Sequence, residues 1–188
     1  QAAIQTTSRI DAATGPVLVL AGSLSPMTAL QVRAASSYRQ VALDATRLTG
    51  DAAYAQQMAA QISELLAQGR HVLACTSAPG SAPGAAVDSR ALAQASGELL
   101  ARVLKAAPLR RLGIAGGDTS SHAVQALNAW GLSYAAQLAP GVALCRLHSD
   151  EAALDGMEVM LKGGQMGGEN LFETLLHGTA PPLAEPQE

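Results

Sequence analysis

Three short segments rich in glycine and hydroxyl side chains could bind an anion. They are residues 22–25, 116–120 and 162–168. Glycine lets the backbone come close to a bulky phosphate, and serine and threonine hydroxyls add further hydrogen-bond donors. The third segment has four glycines within the six residues 163–168. Ordering them costs conformational entropy, which is tolerated mostly where backbone approaches a ligand.

Each segment also has a purely structural explanation. Ser25 followed by a proline is sufficient to start a helix, with the serine as N-cap and the proline at the first helical position. Asp118 could be a helix N-cap, and Gly116 with Gly117 could be only a tight strand-to-helix turn. The third segment is harder to explain in this way, and its Lys162 is one of only two lysines.

The elements that must position these turns follow a βαβ rhythm, because apolar blocks alternate with alanine-rich helical stretches. Strands are predicted at 17–21, 39–43, 71–75 and 111–115. Helices are predicted at 25–37, 51–68 and 89–105, and from the 116–120 turn to about residues 130–131. Short strands at 133–138, 142–147 and 157–161 follow without a long helix between them, and a last helix spans 169–177.

The predicted fold is therefore α/β, a mostly parallel open sheet with helices on both faces and extra hairpin-linked strands near the C-terminus. In such sheets, ligands bind outside the carboxyl ends of the strands, where helix N-termini present free N–H groups. Each glycine turn follows a predicted strand. We expect the three turns at one edge of the sheet, with Ser23, Gly117 and Gly164 around one cleft.

Composition limits the class of partner. A chain of 188 residues with 48% hydrophobic and 14% charged residues is long enough for one domain with a core. The net charge of −3 and the 3% aromatic content argue against a nucleic-acid partner. Because no apolar run approaches the length of a spanning helix and no leader pattern opens the chain, we expect no membrane partner and a cytoplasmic location.

The remaining reactive residue types give little support for other chemistries. Cys75 and Cys145 each lie in an apolar, strand-like stretch, as expected of small buried side chains in a reducing compartment. The four histidines have no metal-ligand spacing. P-loop, Rossmann and nucleophile-elbow motifs are absent from the sequence.

The ordered motifs resemble the four-carbon acid sugar kinase family, and in particular its C-terminal nucleotide-binding domain. The resemblance covers about residues 16–178 and rests on four segments, at residues 20–28, 115–120, 139–142 and 161–169, the last followed by Phe172. One departure is present: Gln165 and Met166 stand where the family pattern has an asparagine and an aromatic residue.

The resemblance implies ATP-dependent phosphorylation of a hydroxyl on a threonate, an erythronate or an oxo-tetronate. The nucleotide-binding residues that it implies, with the flanking turn residues, are Ser23, Ser25, Gly116, Gly117, Asp118, Thr119, Lys162, Gly163, Gly164 and Gly167. Ser23 would contact ATP, residues 116–119 would wrap the phosphates, and Gly163 with Gly164 would line the nucleotide. Asp118 would hold Mg²⁺ directly or through water.

The same resemblance implies the domain organisation. Residues 1–15 would be a linker from an N-terminal domain that this chain lacks, 16–178 the nucleotide-binding domain and 179–188 a flexible tail. The sugar acid would be held mainly by that other domain, which would also supply the general base. The chain alone is therefore expected to bind nucleotide without turnover, and a homodimer is a possible assembly.

Two other functions remain open from the residues. The chain could be a stand-alone nucleotide- or metabolite-binding module without catalysis. It could instead be a phosphosugar isomerase-like enzyme that uses the same glycine turns for a substrate phosphate, and such an enzyme should prefer a phosphosugar to ATP.

Overall fold

A single seven-stranded sheet organises the chain. The computed structural model describes residues 9–22, 25–76 and 87–179. The strands are β1 (Val17–Ala21), β2 (Arg39–Ala42), β3 (Val72–Cys75), β4 (Arg111–Ala115), β5 (Ala129–Ala139), β6 (Val142–Ser149) and β7 (Glu158–Lys162). Their order across the sheet is β2-β3-β1-β4-β7-β6-β5. The five adjacent strands β2, β3, β1, β4 and β7 run parallel, whereas β6 is antiparallel to both β7 and β5.

Helices cover both faces of this sheet. They are α1 (Pro26–Ala34), α2 (Ala45–Gly50), α3 (Ala52–Ala67), α4 (Ser89–Ala106), α5 (Gly117–Ala126) and α6 (Leu171–His177). One buried cluster joins α2, α3, α4 and α5 to one face of β1, through Leu18 and Leu20. A second cluster joins α1 and α6 to the opposite face, through Val17 and Val19. The predicted fold class is confirmed.

Burial on both faces explains why β1 and β4 have continuous apolar sequences. All five residues of each strand are buried, because helices cover the sheet above and below them. Arg111 is the charged exception in β4; it pairs with Glu158 of β7 at 2.6 Å and donates to the carbonyls of Asp11 and Leu175. This ion pair lies at the amino ends of the strands, away from the glycine turns.

The prediction for the segment after α5 was wrong. The helix ends at Ala126 rather than near residue 130, and Asn128 then takes a left-handed conformation with φ of 50°. From Ala129 the chain is a strand that pairs with β6. The short helix α2, capped by Asp44, was not predicted at all. Where other observed boundaries differ from the predicted ones, the difference is one to three residues. Helix α1, for example, ends at Ala34 rather than at residue 37.

Part of the segment assigned to a linker packs on the domain. Ile10 is buried, its N–H donates to Thr179 Oγ1, and its carbonyl accepts from the Thr179 N–H. Gly178 has a φ of +79°, and an added Cβ there would collide with the Ile10 carbonyl. Residues 1–8 and 180–188, which hold most of the proposed linker and tail, lie outside the described residues.

Both cysteines are free thiols. Cys75 is buried in β3, and burial raises its pKa to about 12. Cys145 is only half-buried, and burial raises its pKa as well. Thiols with raised pKa values are poor nucleophiles, which agrees with a packing role.

Candidate nucleotide-binding site

The three glycine turns lie together at the carboxyl edge of the sheet. Strands β1, β4 and β7 are neighbours and run parallel, so the turns that follow them leave the sheet side by side. The Gly22 N–H donates to the Ala115 carbonyl at 3.0 Å, and the Gly116 N–H donates to the Lys162 carbonyl at 3.0 Å. The chain continues from β1 to a helix on one face and from β4 to a helix on the other. This is a topological switch point, where α/β sheets bind ligands.

The first and second turns touch through Gly22. An added Cβ at Gly22 would collide with Thr119 Oγ1 and would lie 2.7 Å from Thr119 Cβ. Thr119 is buried in the first turn of α5. Glycine is therefore required here for close packing of the two turns. Ser23, which was expected to contact the nucleotide, lies outside the described residues.

The second turn presents an uncapped helix end. Gly116 is the N-cap of α5, with φ of 124° and ψ of 133°, a conformation that favours glycine, and no side chain of the described residues caps the helix. Asp118 lies in the first helical turn and is exposed, so it is not the N-cap. Gly117 is exposed, and a Cβ added there would meet no atom within 4 Å. Among the described residues, no acceptor binds the N–H groups of Gly117 and Asp118, which lie at the positive end of the α5 dipole.

Ser25 has two structural roles. It is the N-cap of α1, as predicted, and its Oγ accepts from the Thr28 N–H at 3.1 Å. Its hydroxyl also lies within hydrogen-bond reach of the Gly164 carbonyl in the third turn. Ser25 therefore joins the first turn to the third, and its proposed contact with the nucleotide would have to share this hydroxyl.

Polar side chains of α1 hold the third turn. Thr28 Oγ1 donates to the Gly164 carbonyl at 3.0 Å. Gln31 Nε2 donates to the carbonyls of Met166 at 3.0 Å and Gly168 at 2.9 Å. Thr28 and Gln31 are both fully buried. The carbonyls of this turn are thus directed towards α1, while the N–H groups of Gly164 and Gln165 have no acceptor among the described residues.

Lys162 lies beneath the third turn rather than beside a ligand. It is the last residue of β7 and is only 2% exposed. Its Nζ donates to Thr28 Oγ1 at 2.8 Å, to Gln31 Oε1 at 2.8 Å and to the Gly164 carbonyl at 3.0 Å. All three ammonium donors are used within the protein, which leaves none for the direct nucleotide contact that was expected.

The glycines of the third turn differ in what they do. Gly163 is exposed and Gly164 half-buried, and neither has a positive φ. Gly167 has a φ of +81°, and a Cβ there would lie 2.7 Å from Leu171 Cδ2. Gly167 is therefore explained by the shape of the turn and its packing on α6. Gly163 and Gly164 remain the candidates for close approach to a ligand.

The hairpin turn between β5 and β6 packs against the same loop. Gly141 has a φ of +74°, and an added Cβ would collide with Met166 Cε. Met166 is 39% exposed despite this contact. Residues 139–142 formed one of the four motifs on which the resemblance rests, and this contact explains why that motif belongs with the third turn.

Sequence reasoning gave no role to Thr28 or Gln31, and it included Gly22 only as part of the first turn, without its contact with Thr119. The available signal was weak: Thr28 and Gln31 are polar residues three apart on the helix face that also carries Val32 and Ala35. A polar pair on the buried side of a helix requires buried partners, and the lysine and carbonyls of the third turn are those partners.

Within the described ranges, no three His, Cys, Asp or Glu side chains are grouped as a metal site would require. Among the helices that the structure describes, none has the length and apolar character to cross a bilayer.

An open, mostly parallel sheet with glycine turns at its switch point defines a doubly wound α/β domain with a candidate anion site at its carboxyl edge. The chain belongs to the family described as the nucleotide-binding C-terminal domain, whose model matches residues 18–172. The expectation drawn from the four motifs is thereby confirmed at the level of the family.

Named relatives are similar over most of this chain. It is 32% identical over 182 residues to a Paraburkholderia graminis protein named 3-oxo-isoapionate kinase, covering 86% of this chain and 38% of that protein. It is 36% identical over 166 residues to a Methylobacterium radiotolerans 3-oxo-tetronate kinase, covering 84% and 38%. A crystal structure of a Haemophilus influenzae protein superposes with a TM-score of 0.75 at 26% identity, covering 90% and 42%. The chain thus spans about two fifths of each relative.

Proposed function

We propose that this chain is the ATP-binding part of a kinase that phosphorylates a hydroxyl of a four-carbon sugar acid of the threonate, erythronate or oxo-tetronate type. The observation that carries the proposal is the convergence of three glycine turns at one sheet edge in a chain of the nucleotide-binding family. The names of two relatives, a 3-oxo-isoapionate kinase and a 3-oxo-tetronate kinase, support a sugar-acid substrate.

The residues at this edge suit a polyphosphate. The uncapped N-terminus of α5 offers N–H groups at Gly117 and Asp118, and the third turn offers those of Gly164 and Gln165. Such fixed donors would bind the phosphates and neutralise negative charge on them without reorganisation. Asp118 is exposed beside these donors and would hold Mg²⁺, directly or through water, with the phosphates completing the coordination.

The proposed division of labour leaves part of the chemistry to another domain. ATP supplies the phosphoryl group, and the residues of this chain bind and orient it. Among the described turn residues, Asp118 is the one carboxylate, and the proposal assigns it to Mg²⁺ rather than to a sugar hydroxyl. We assign the general base and the sugar-acid contacts to a further domain of the kinase.

We also propose a cytoplasmic location and a homodimer. The outer strand β5 exposes Trp130 and Tyr134, with 69% and 66% of their surfaces accessible. Large exposed aromatic residues on an edge strand favour association. Light scattering during size-exclusion chromatography would give the mass of the particle, and a mass of about 19 kDa would count against the dimer.

Calorimetric titration of the chain with nucleotides and phosphosugars tests the proposed ligand. ATP, ADP, GTP, NAD and several phosphosugars would be compared with and without Mg²⁺, with thermal melting as a second measurement, because a ligand that binds the folded state raises its apparent stability. We expect ATP and ADP to bind best and Mg²⁺ to strengthen ATP binding. A preference for a phosphosugar would instead support the isomerase-like function.

Binding of ATP would leave one alternative, the stand-alone binding module. The length of the natural reading frame separates it from the kinase. We expect a coding region upstream for a further ~220–250 residues, the size of one more domain within the usual domain range. Purification of a natural protein no longer than this chain would support the binding module.

A further inference from the structure

Lys162 carries a buried charge that faces only neutral groups. The three acceptors of its Nζ are a threonine hydroxyl, a glutamine amide oxygen and a backbone carbonyl, at 2.8, 2.8 and 3.0 Å. The side chain is 2% exposed, so water does little to stabilise the ammonium. A buried ammonium is usually paired with a carboxylate, because removing it from water is costly.

No acid supplies that pairing in the part of the chain that the structure describes. Lys162 makes no ion pair there, and burial alone accounts for the lowering of its pKa to about 8. None of the charged and titratable groups on the elements and turns packed around it accepts from the Lys162 ammonium, and none shifts its pKa. They are Arg33 on α1, Arg111 on β4, Asp118 on α5, Cys145, Arg146 and His148 on β6, Glu158 on β7, Glu169 in the turn before α6, and Glu173 with His177 on α6.

The ammonium is nonetheless fixed directly behind the candidate phosphate site. It binds the carbonyl of Gly164, and the N–H of that same peptide group, which belongs to Gln165, has no acceptor among the described residues. A peptide group that is bonded to a cation at its oxygen is polarised, and its N–H becomes a better donor to an anion. The same ammonium orders Thr28 and Gln31, which hold the rest of the turn.

We propose that Lys162 is a positioning residue whose charge is balanced by the phosphates of the bound nucleotide, so that anion binding and protonation of Lys162 reinforce each other. The inference rests on the proposed nucleotide function and adds to it a specific linkage. The phosphates need not touch Nζ; the third turn lies between them. By linkage, an anion that binds the protonated form more tightly must raise the affinity of Lys162 for its proton.

Proton uptake on ADP binding tests this linkage. Calorimetric titrations with ADP in two buffers of different ionisation enthalpy, at pH 7.0 and pH 8.5 to 9.0, give the number of protons taken up. We expect several tenths of a proton per ADP at the higher pH, where free Lys162 is partly deprotonated and ADP itself no longer titrates. At pH 7.0 we expect no uptake attributable to Lys162.

Two variants assign the proton. Lys162→Met keeps most of the length of the side chain and removes the ammonium group, and it should abolish the uptake at high pH and weaken ADP binding tenfold or more at pH 7.0. Lys105→Met alters the other lysine, which is exposed at the end of α4, and should leave both quantities unchanged. The wild-type measurement stands even if Lys162→Met does not fold.

The outcomes separate this inference from the proposed function. ADP binding without net proton uptake at pH 8.5 to 9.0 overturns the linkage and leaves nucleotide binding intact. Uptake that persists in folded Lys162→Met also overturns it. Failure of the wild-type protein to bind ADP at either pH overturns the proposed function itself.

Discussion

At the scale of single residues, the carbonyl of Gly164 is the point at which the site is assembled. It lies within hydrogen-bond reach of Ser25, and it accepts from Thr28 and Lys162. Three side chains from two elements thus fix one peptide group of a glycine-rich turn. The flexibility that four glycines would otherwise give this segment is removed by its neighbours, and the turn is prepared before a ligand binds.

Gly117→Ala should show whether a ligand approaches the backbone at this position or whether the glycine only makes the turn flexible. A Cβ there meets no protein atom within 4 Å, and alanine in the first turn of α5 should leave the unliganded protein equally stable or up to about 1 kcal/mol more stable. If phosphates approach this backbone, ADP affinity should fall about tenfold, or ~1.4 kcal/mol. Calorimetry with ADP and a melt of the unliganded protein give the two values.

Gly50→Ala is the matched control for Gly117→Ala, because Gly50 is also helical and also faces open space, in α2 outside the site. Unchanged ADP affinity in Gly117→Ala would remove the second turn from the site. Gly164→Ala is less informative, since its Cβ would lie 3.1 Å from Ser25 Cβ and would disturb the unliganded turn as well.

Asp118→Ala should change the dependence of ATP binding on Mg²⁺. With Mg²⁺ present, we expect affinity to fall about tenfold, which corresponds to ~1.4 kcal/mol. Without Mg²⁺, affinity should stay the same or rise, because a carboxylate beside the phosphates is then only repulsive. The cost to folding should be no more than ~1 kcal/mol, the usual value of an exposed acid near a helix N-terminus. Equal ATP affinity in both proteins with Mg²⁺ would leave Asp118 with no metal role.

Stability of the unliganded protein should rise at alkaline pH because of Lys162. Burial lowers its pKa from 10.5 to about 8, so between these values the unfolded chain holds a proton that the folded chain has lost. The free energy of unfolding, relative to Lys162→Met, should therefore rise with pH in this window, by at most ~1.4 kcal/mol per pH unit. Below pH 8 the difference should be constant. Urea denaturation of both proteins at pH 7, 8, 9 and 10 measures it, and a flat difference would contradict the burial of a charged ammonium.

At the scale of elements, the buried parallel strands were predictable and the hairpin edge was less so. Strands β1 and β4 are covered on both faces, and their continuous apolar runs between turn residues indicate this directly. The start of α1 was also predictable, because an N-cap serine followed by proline acts locally. The positions of the three turns followed from these strands and from the rule for parallel sheets.

The segment after α5 could not be assigned from local pattern. Residues near Trp130 follow a helical stretch without a proline, and only the left-handed Asn128 and pairing with β6 convert them to a strand. The stacking of Trp130 on His148, with ring centroids 5.3 Å apart, is a cross-strand contact that depends on that pairing. The same holds for Thr28 and Gln31, whose partners are more than 130 residues away.

Gly22→Ala should show that the first two turns depend on each other. Its Cβ would collide with Thr119 Oγ1, so β1 and α5 must move apart, and overpacking of this kind costs ~1–3 kcal/mol. We expect a lower urea midpoint with little change in the slope of the transition. Thr119→Ala removes the colliding hydroxyl and methyl and should recover part of the loss in the double variant. Full stability in Gly22→Ala alone would show that the turns are not in firm contact.

At the scale of the whole molecule, charged groups with structural roles and candidate functional groups lie at opposite edges of the sheet. The Arg111–Glu158 ion pair and the packing of residues 10–13 on the end of α6 stabilise the amino edge. The carboxyl edge instead holds glycine turns, an uncapped helix end and a lysine without an acidic partner in the described chain. The helix end and the buried ammonium favour an anionic ligand at this edge, where Asp118 is the acid beside them.

Because the proposed kinase activity is divided between domains, we expect this chain to bind ATP without phosphorylating sugar acids. The chain spans 38% of the length of each of the two named kinases that it resembles, and the one carboxylate among the described turn residues, Asp118, is assigned to Mg²⁺ in the proposal. Removal of the proton from the substrate hydroxyl, and placement of that hydroxyl in line with the γ-phosphate, require groups beyond these turns.

A coupled assay that monitors ADP formation tests this expectation. The rate with threonate, erythronate or 3-oxo-tetronate should equal the rate without a sugar acid. Catalysis should appear when the further domain that we propose is included. Sugar-acid-dependent ADP formation by this chain alone would place the base within it, and the search for that base would then return to the polar residues at the carboxyl edge.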